Sequence, residues 1–405
     1  MRTPFSLDAF IAEHVIARSE SLFAADLAAR HDQLREAIHG KSVLVIGGAG
    51  SIGSSFIKAL LPFEPARLCV VDLSENGLTE LTRDLRSTPG QFVPEDYTTY
   101  PISFGSEIFA RMFRSAGPFD VVAHFAAHKH VRSEKDRFSI EAMLENNVIN
   151  TVKLLDLLLD APPEHFFCVS TDKAANPANV MGASKKLMEE AVLAYAKRLP
   201  ASTARFANVA FSNGSLPAGF VERIAKNQPL SAPSDIRRFF VSPLESGQLC
   251  LLACMLGEPG DIFFPPLDES KMLTFSSIAD ALLRAHGYEP EHCASEAEAR
   301  EKAAGRSAGD TTWPVYYFES DTSGEKSFEE FHTDTEVVDL ESLKTVGIVK
   351  GETHHDIAAI REICADLRAL FEQPELAKES IVEALTGLVP TFQHVETGKS
   401  LDQKM

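Results

Sequence analysis

The feature that most constrains this chain is an apolar run that breaks into glycines. Ser42-Val43-Leu44-Val45-Ile46 leads into Gly47-Gly48-Ala49-Gly50-Ser51-Ile52-Gly53 and then into a helical stretch. The next apolar run closes on Asp72, 19 positions past Gly53. Strand, glycine turn, helix and a second strand ending in a carboxylate make the frame of a dinucleotide site. Gly47 permits the tight turn, and Gly50 lets backbone amides approach a pyrophosphate. Gly53 lets the helix lie close to the strand, with its positive end toward the phosphates. Ser51 and Ile52 supply the first helical amides. Asp72 can accept hydrogen bonds from ribose hydroxyls and would repel a 2′-phosphate, so the pattern favours NAD over NADP. A purely structural glycine turn fits this context less well.

The alternation continues downstream. Residues 42–46, 67–72, 120–125, 165–170 and 203–210 read as buried strands, with room between them for crossover helices. That pattern predicts an α/β protein with a doubly wound, parallel sheet of the Rossmann type. Beyond about residue 210 the strands become sparse and the loops rich in Pro, Ser and Asp. This predicts a smaller C-terminal substrate-binding lobe over the carboxyl edge of the sheet, where ligands bind in such folds. The expected division is an N-terminal helical arm over 1–40, with Leu7, Phe10, Ile11 and Val15 on one face, and an NAD-binding domain over 41–210. A substrate lobe over 211–350 interleaves with that domain, and a helical segment and tail occupy 351–405. Residues 294–309 read as a solvated helix or loop.

The formal net charge of −19 argues against nucleic-acid or anionic-membrane partners, which reward basic patches. A local cationic pocket for a phosphorylated ligand stays open. The opening residues do not read as a signal peptide. The most apolar helical run, 249–256, is too short to span a bilayer. The expectation is a cytoplasmic protein with no membrane partner. Six cysteines are scattered along the chain. Cys250 and Cys254 alone are close, and without further ligands nearby they read as buried thiols, not a metal site.

The stretch richest in chemistry is Ser170-Thr171-Asp172-Lys173-Ala174-Ala175-Asn176-Pro177-Ala178-Asn179-Val180-Met181-Gly182-Ala183-Ser184-Lys185. It starts at a strand end, so its polar side chains emerge beside the cofactor. Thr171, Asp172 and Lys173 place a hydroxyl, a carboxylate and an amine in succession, a proton donor and acceptor side by side. Surface charge alone could also give an Asp-Lys pair.

The Gly-x-x-Gly-x-x-Gly spacing resembles the short-chain dehydrogenase/reductase superfamily. Members carry a Tyr-x-x-x-Lys pair in this stretch; here Lys185 stands at the Lys position and Met181 at the Tyr. Ile46 stands where members carry Thr, and Ile102-Ser103 is nearest to the acidic adenine contact. Met181 cannot move protons, so the chain is either a non-catalytic NAD-binding scaffold or regulator, or an enzyme whose base lies elsewhere. Ser170 to Lys185 further resembles the signature of the UDP-N-acetylglucosamine 4,6-dehydratase family of polysaccharide biosynthesis, one branch of which carries this Met. Family marks recur in Asp72-Leu73-Ser74-Glu75-Asn76, in His124-Phe125-Ala126-Ala127-His128-Lys129-His130-Val131 and at Asn147. They continue in Arg205-Phe206-Ala207-Asn208-Val209, Asn213-Gly214-Ser215 and Asp235-Ile236-Arg237-Arg238-Phe239-Phe240. The likeness covers about residues 27–265.

The resemblance implies a nucleotide-sugar substrate and bound NAD. It implies Lys173 as base at C5, Asp172 as acid at O6, and Thr171 with Lys185 at O4, with Met181 in the place of the Tyr. Ser103, Ala126, Ala127 and Lys185 join the glycine loop and Asp72 as cofactor contacts. Lys129, His130, Asn208 and Arg238 are the expected substrate contacts, Arg238 as a diphosphate clamp. His124 is expected in the core, no metal is expected, and a homo-oligomer is the expected assembly. A 4-epimerase or ketoreductase on the same scaffold is the other enzymatic reading.

Overall fold

The computed structural model describes residues 5–130, 134–267, 269–307, 309–320 and 330–394. Its centre is a run of six parallel strands: β1 (Ser42–Ile46), β2 (Arg67–Val71), β3 (Asp96–Tyr100), β4 (Val121–His124), β5 (His165–Val169) and β6 (Ala201–Ala204). Their spatial order is β3-β2-β1-β4-β5-β6, with Ile46 level with Val71 on one side and His124 on the other. Chain order reverses between β1 and β4, which opens a crevice at the carboxyl ends of these strands. In β1, Val43 and Val45 face one core and Leu44 and Ile46 the other. Burial on both faces explains why the strand reads as a continuous apolar run.

Among the described residues ten further strands follow: β7 (Asn208–Val209), β8 (Leu230–Pro233), β9 (Arg237–Arg238), β10 (Phe240–Val241), β11 (Asp261–Phe264), β12 (Leu273–Thr274), β13 (Glu289–His292), β14 (Thr312–Phe318), β15 (Val337–Asp339) and β16 (Gly347–Lys350). β11 extends the parallel sheet beside β6, and β16 and β15 close that edge in antiparallel fashion, giving nine strands. A separate three-stranded sheet, β13-β14-β8, forms the smaller lobe. Two readings of strand extent change. The run 203–210 is not one strand, because the chain leaves the sheet after Ala204 and re-pairs as β7 with β10. β3, of sequence Asp-Tyr-Thr-Thr-Tyr, lies at the sheet edge and is only half-buried, so no apolar run announces it.

On one face, helix Pro243–Leu256 packs on helix Ser51–Leu60 so closely that a Cβ on Gly247 would lie 2.2 Å from the Ser55 carbonyl oxygen. The other face carries helices Arg137–Leu144, Asn150–Asp160 and Val180–Ala196, with Ile357–Phe371 and Lys378–Leu388 against them. The N-terminal segment is docked. Phe10, Ile11 and Val15 join the lobe core with Phe220, Leu282 and Trp313. Arg18 forks onto Glu245 at 2.6 and 2.7 Å, and buried Asp26 accepts the amides of Lys344 and Thr345. Residues Glu296–Ala304 form a helix capped by Ser295. Among the described residues no helix is long and apolar enough to cross a membrane, and no His, Cys, Asp and Glu cluster could hold a metal. All six cysteines are buried free thiols.

Candidate active site

A cavity of about 930 Å³ opens at the carboxyl ends of β1, β4 and β5 and extends under the lobe. Its floor is the glycine turn. Gly47 sits at φ +77°, and a Cβ there would fall 2.4 Å from the Ala126 amide nitrogen. A Cβ on Gly53 would lie 2.3 Å from the Gly47 carbonyl oxygen. The protein's own packing therefore demands glycine at both positions. Gly50 differs: the nearest atom to its Cβ would be the Gly47 oxygen, at 3.4 Å. The chain itself leaves that space open on the cavity side, where helix Ser51–Leu60 begins with no side-chain cap. Such a cradle fits a pyrophosphate.

Asp72 lines the cavity and braces the turn, accepting from the Ala49 amide at 3.0 Å and the Ser74 amide at 2.9 Å. Its remaining lone pairs suit ribose hydroxyls. Ser51, Ile52, Ala126 and Ala127 line the same half. Ser103 does not. Its neighbours Ile102 and Phe104 form the wall, while the Ser103 carbonyl accepts from the Ser106 amide and hydroxyl. Ser103 thus lies between two apolar wall residues, with its carbonyl turned toward the next helix.

The loop after β4 is clamped by Asn147, placed by the π-turn Glu145–Ile149. Its side chain pairs with both backbone groups of His128, at 2.8 and 3.0 Å, and donates to the Ser184 hydroxyl at 3.1 Å. His124 is buried below, 4.5 Å from the Phe104 ring and 3.3 Å from the Thr151 hydroxyl. Burial and then the nearby Lys185 push its imidazole down to about 3. It is a core residue.

The helix Val180–Ala196 carries Met181 and Lys185 one turn apart, both buried and both on the cavity. Lys185 donates to the Val169 carbonyl at 2.7 Å, and burial lowers its ammonium below the ordinary lysine value. Thr171, Asp172 and Lys173 follow β5 after Ser170. Asp172, 4% exposed, accepts from the Thr171 hydroxyl at 2.7 Å and from the Lys173 ammonium at 3.0 and 3.1 Å. Asn179 caps the helix at the Gly182 amide, and a Cβ on Gly182 would lie 2.5 Å from the Lys173 carbonyl. That glycine lets the helix press against the acid–amine turn.

Lys129 and His130 stand exposed at the cavity rim, with Asn208 and buried Arg238 on the lobe side. Every expected site residue except Ser103 therefore lines one cavity. Arg205, from the motif resembling a substrate loop, does not line it; it is wholly buried. It pairs with Glu189 at 2.8 and 3.0 Å and with Glu336 at 2.8 Å. Glu189 also accepts from the Ser170 hydroxyl at 2.6 Å. Burial alone would raise the Glu189 carboxyl, but the Arg205 guanidinium overcomes this and holds it below the ordinary range. Sequence reading missed Glu189, Glu330 and Glu336. The available signal for Glu189 was a carboxylate four residues after Lys185, on the same helix face.

The family described as polysaccharide biosynthesis protein matches residues 43–350. The chain belongs to this family, within the extended short-chain dehydrogenase/reductases. A relative in Methanocaldococcus jannaschii, named uncharacterized membrane protein MJ1061, is 33% identical over 76% of this chain and 85% of its own. The probable polysaccharide biosynthesis protein EpsC of Bacillus subtilis is 30% identical over 64% of this chain, which spans only 43% of EpsC. A Rickettsia prowazekii family relative named UDP-glucose 4-epimerase is 28% identical over 61% of this chain and 71% of its own. The fold matches that of DesIV, a dTDP-glucose 4,6-dehydratase from Streptomyces venezuelae solved with NAD and TYD bound. The TM-score is 0.54 at 19% identity, over 82% of this chain and 97% of DesIV.

Proposed function

We propose that this chain is an NAD-dependent nucleotide-sugar 4,6-dehydratase, acting on UDP-N-acetylglucosamine or a close relative to give a 4-keto-6-deoxy sugar for surface polysaccharide. One observation carries the reading: buried Asp172 bonded to both Thr171 and Lys173 on the cavity wall, beside a methionine that cannot exchange protons. An epimerase needs no such acid–amine pair.

The turn Gly47–Gly53 and Asp72 would hold NAD, which supplies reversible hydride acceptance between C4 and C6 of the sugar. Lys185 orients the nicotinamide ribose from below. Thr171 meets the O4 hydroxyl. Lys173 removes the C5 proton, made acidic by the adjacent ketone, and Asp172 protonates the departing O6 hydroxyl. The O4 proton passes through the Thr171 hydroxyl to Asp172, which delivers it to O6 so that water leaves. Lys173 returns a proton to C5 as C6 is reduced, leaving the redox state unchanged. Arg238 offers a planar fork to the diphosphate.

The test is an incubation with UDP-N-acetylglucosamine. The product should be lighter by one water, with a C4 deuterium moved to C6 and solvent deuterium at C5. A C4 label retained at C4 with no mass loss would identify an epimerase, and stoichiometric reduced cofactor a simple dehydrogenase.

A further inference from the structure

Glu134 and His394 form a pair that no motif singled out and that the proposed chemistry does not use. Glu134 is buried, four residues past His130 and just before helix Arg137–Leu144. His394 belongs to the tail that follows the last helix, Lys378–Leu388. Its ring meets one Glu134 oxygen through Nε2, and the other Glu134 oxygen accepts the Val180 amide at 2.7 Å. One residue earlier in the tail, the Gln393 amide donates to the Pro177 carbonyl at 3.0 Å. Phe392 roots the tail in the core that also holds Val180 and Met181.

The tail therefore grips the loop before the active-site helix at Pro177 and, through Glu134, the first turn of that helix at Val180. Asn176, Ala178 and Asn179 of this loop line the cavity, and so does Met181 of the turn. Gly182, two residues past Val180, lies against the Lys173 carbonyl. A shift of this turn is passed to the acid–amine pair, because closely packed backbones transmit displacement. Glu134 and His394 themselves do not line the cavity. The glycine turn and Asp72 follow β1 and β2, and Arg238 belongs to β9. None of these tail contacts runs to those elements.

Resting on the nucleotide-sugar reading, we infer that His394 and Glu134 are positioning residues for the sugar end of the cavity. They hold the loop and first helical turn in place for the sugar ring, while cofactor and nucleotide are held by other elements.

The test measures binding of NAD, UDP and UDP-N-acetylglucosamine to the wild type and to His394→Leu, Glu134→Ala and His394→Gln. The ratio of UDP-N-acetylglucosamine to UDP affinity should fall by roughly 10-fold or more in His394→Leu and Glu134→Ala, as misplacement by about an ångström can cost more than that. His394→Gln keeps an N–H donor for the carboxylate, so its ratio should stay within about 3-fold of the wild type. NAD and UDP affinity should hold in all three, a contrast that general loss of structure does not give. Should His394→Leu fail to fold, Glu134→Ala carries the same test with the tail sequence intact. An unchanged ratio in these two variants, or affinities for all three ligands that fall together, would overturn the inference and leave the nucleotide-sugar reading intact. So would a His394→Gln protein as impaired as His394→Leu. A wild type that binds NAD but neither UDP nor any UDP sugar would overturn both.

Discussion

Asp172 and Lys173 are the pair on which the proposed chemistry depends, and each tests it in a different way. Asp172→Asn keeps the shape and removes the acid; Lys173→Ala removes the base. Each should lower turnover by at least about 100-fold with NAD binding nearly intact, read as single-turnover rates beside cofactor calorimetry. Near-normal rates in both variants would remove the pair from the mechanism. His124 makes a prediction about stability. Its folded value of about 3 lies far below the ordinary 6.5. Below pH 6.5 the unfolded chain therefore binds a proton that the native state refuses. The stability from keeping the ring neutral is full above 6.5 and is lost as pH falls toward 3, with a slope of up to about 1.4 kcal/mol per pH unit. Urea midpoints between pH 6 and 4 should fall less steeply in His124→Gln. Parallel curves would show that another group controls the acid limb.

At the scale of elements, close approach of backbones explains two glycines that no turn requires. Gly247 lets helix Pro243–Leu256 touch the backbone of helix Ser51–Leu60, the helix that starts at the phosphate cradle. Gly247→Ala should cost about 1–3 kcal/mol, because the three nearest atoms are all backbone and none can rotate away. Gly219, inside helix Leu216–Ala225, has nothing within 4 Å of its missing Cβ. Gly219→Ala should be neutral or stabilising by up to about 1 kcal/mol. Thermal melts of the two variants side by side check the contrast; equal effects would show that helix propensity, not contact, governs both. Gly182 repeats the device at the active site, where the helix bearing Lys185 meets the Lys173 carbonyl.

For the whole molecule, the C-terminal helices are part of the main core. Ile360, Leu367, Ile381, Leu385 and Phe392 are buried in the same cluster as Met181, Leu187 and Val192 of the active-site helix. The last described residues of the segment reach the loop that precedes the active-site helix: the Gln393 amide donates to the Pro177 carbonyl. His394 pairs with Glu134, whose other oxygen accepts the Val180 amide at 2.7 Å. Burying an aliphatic or aromatic side chain is worth roughly 1.5–3 kcal/mol, and a domain's net stability is about 5–15 kcal/mol. Removal of residues 357–405 should therefore abolish the cooperative melt and the near-ultraviolet signal. A truncated chain that melts within a few degrees of the full one would show these helices to be an appendage.

The sequence alone determined the features encoded within a few residues of one another. The apolar run before Gly47, the spacing to Gly53 and the carboxylate at Asp72 depend only on local backbone demands, and the turn and its strands lie where those demands put them. Thr171, Asp172 and Lys173 were legible because three unlike functional groups at a strand end have few structural uses. The direction of the Ser103 carbonyl was not legible, because it is set by the Ser106 cap of the next helix. Only the tertiary structure could join Arg205 to Glu336 and Asn176 to Glu330, across 131 and 154 residues. No periodicity marks either pair. A buried guanidinium must find its carboxylates wherever the fold brings them, because leaving it unpaired would cost several kcal/mol.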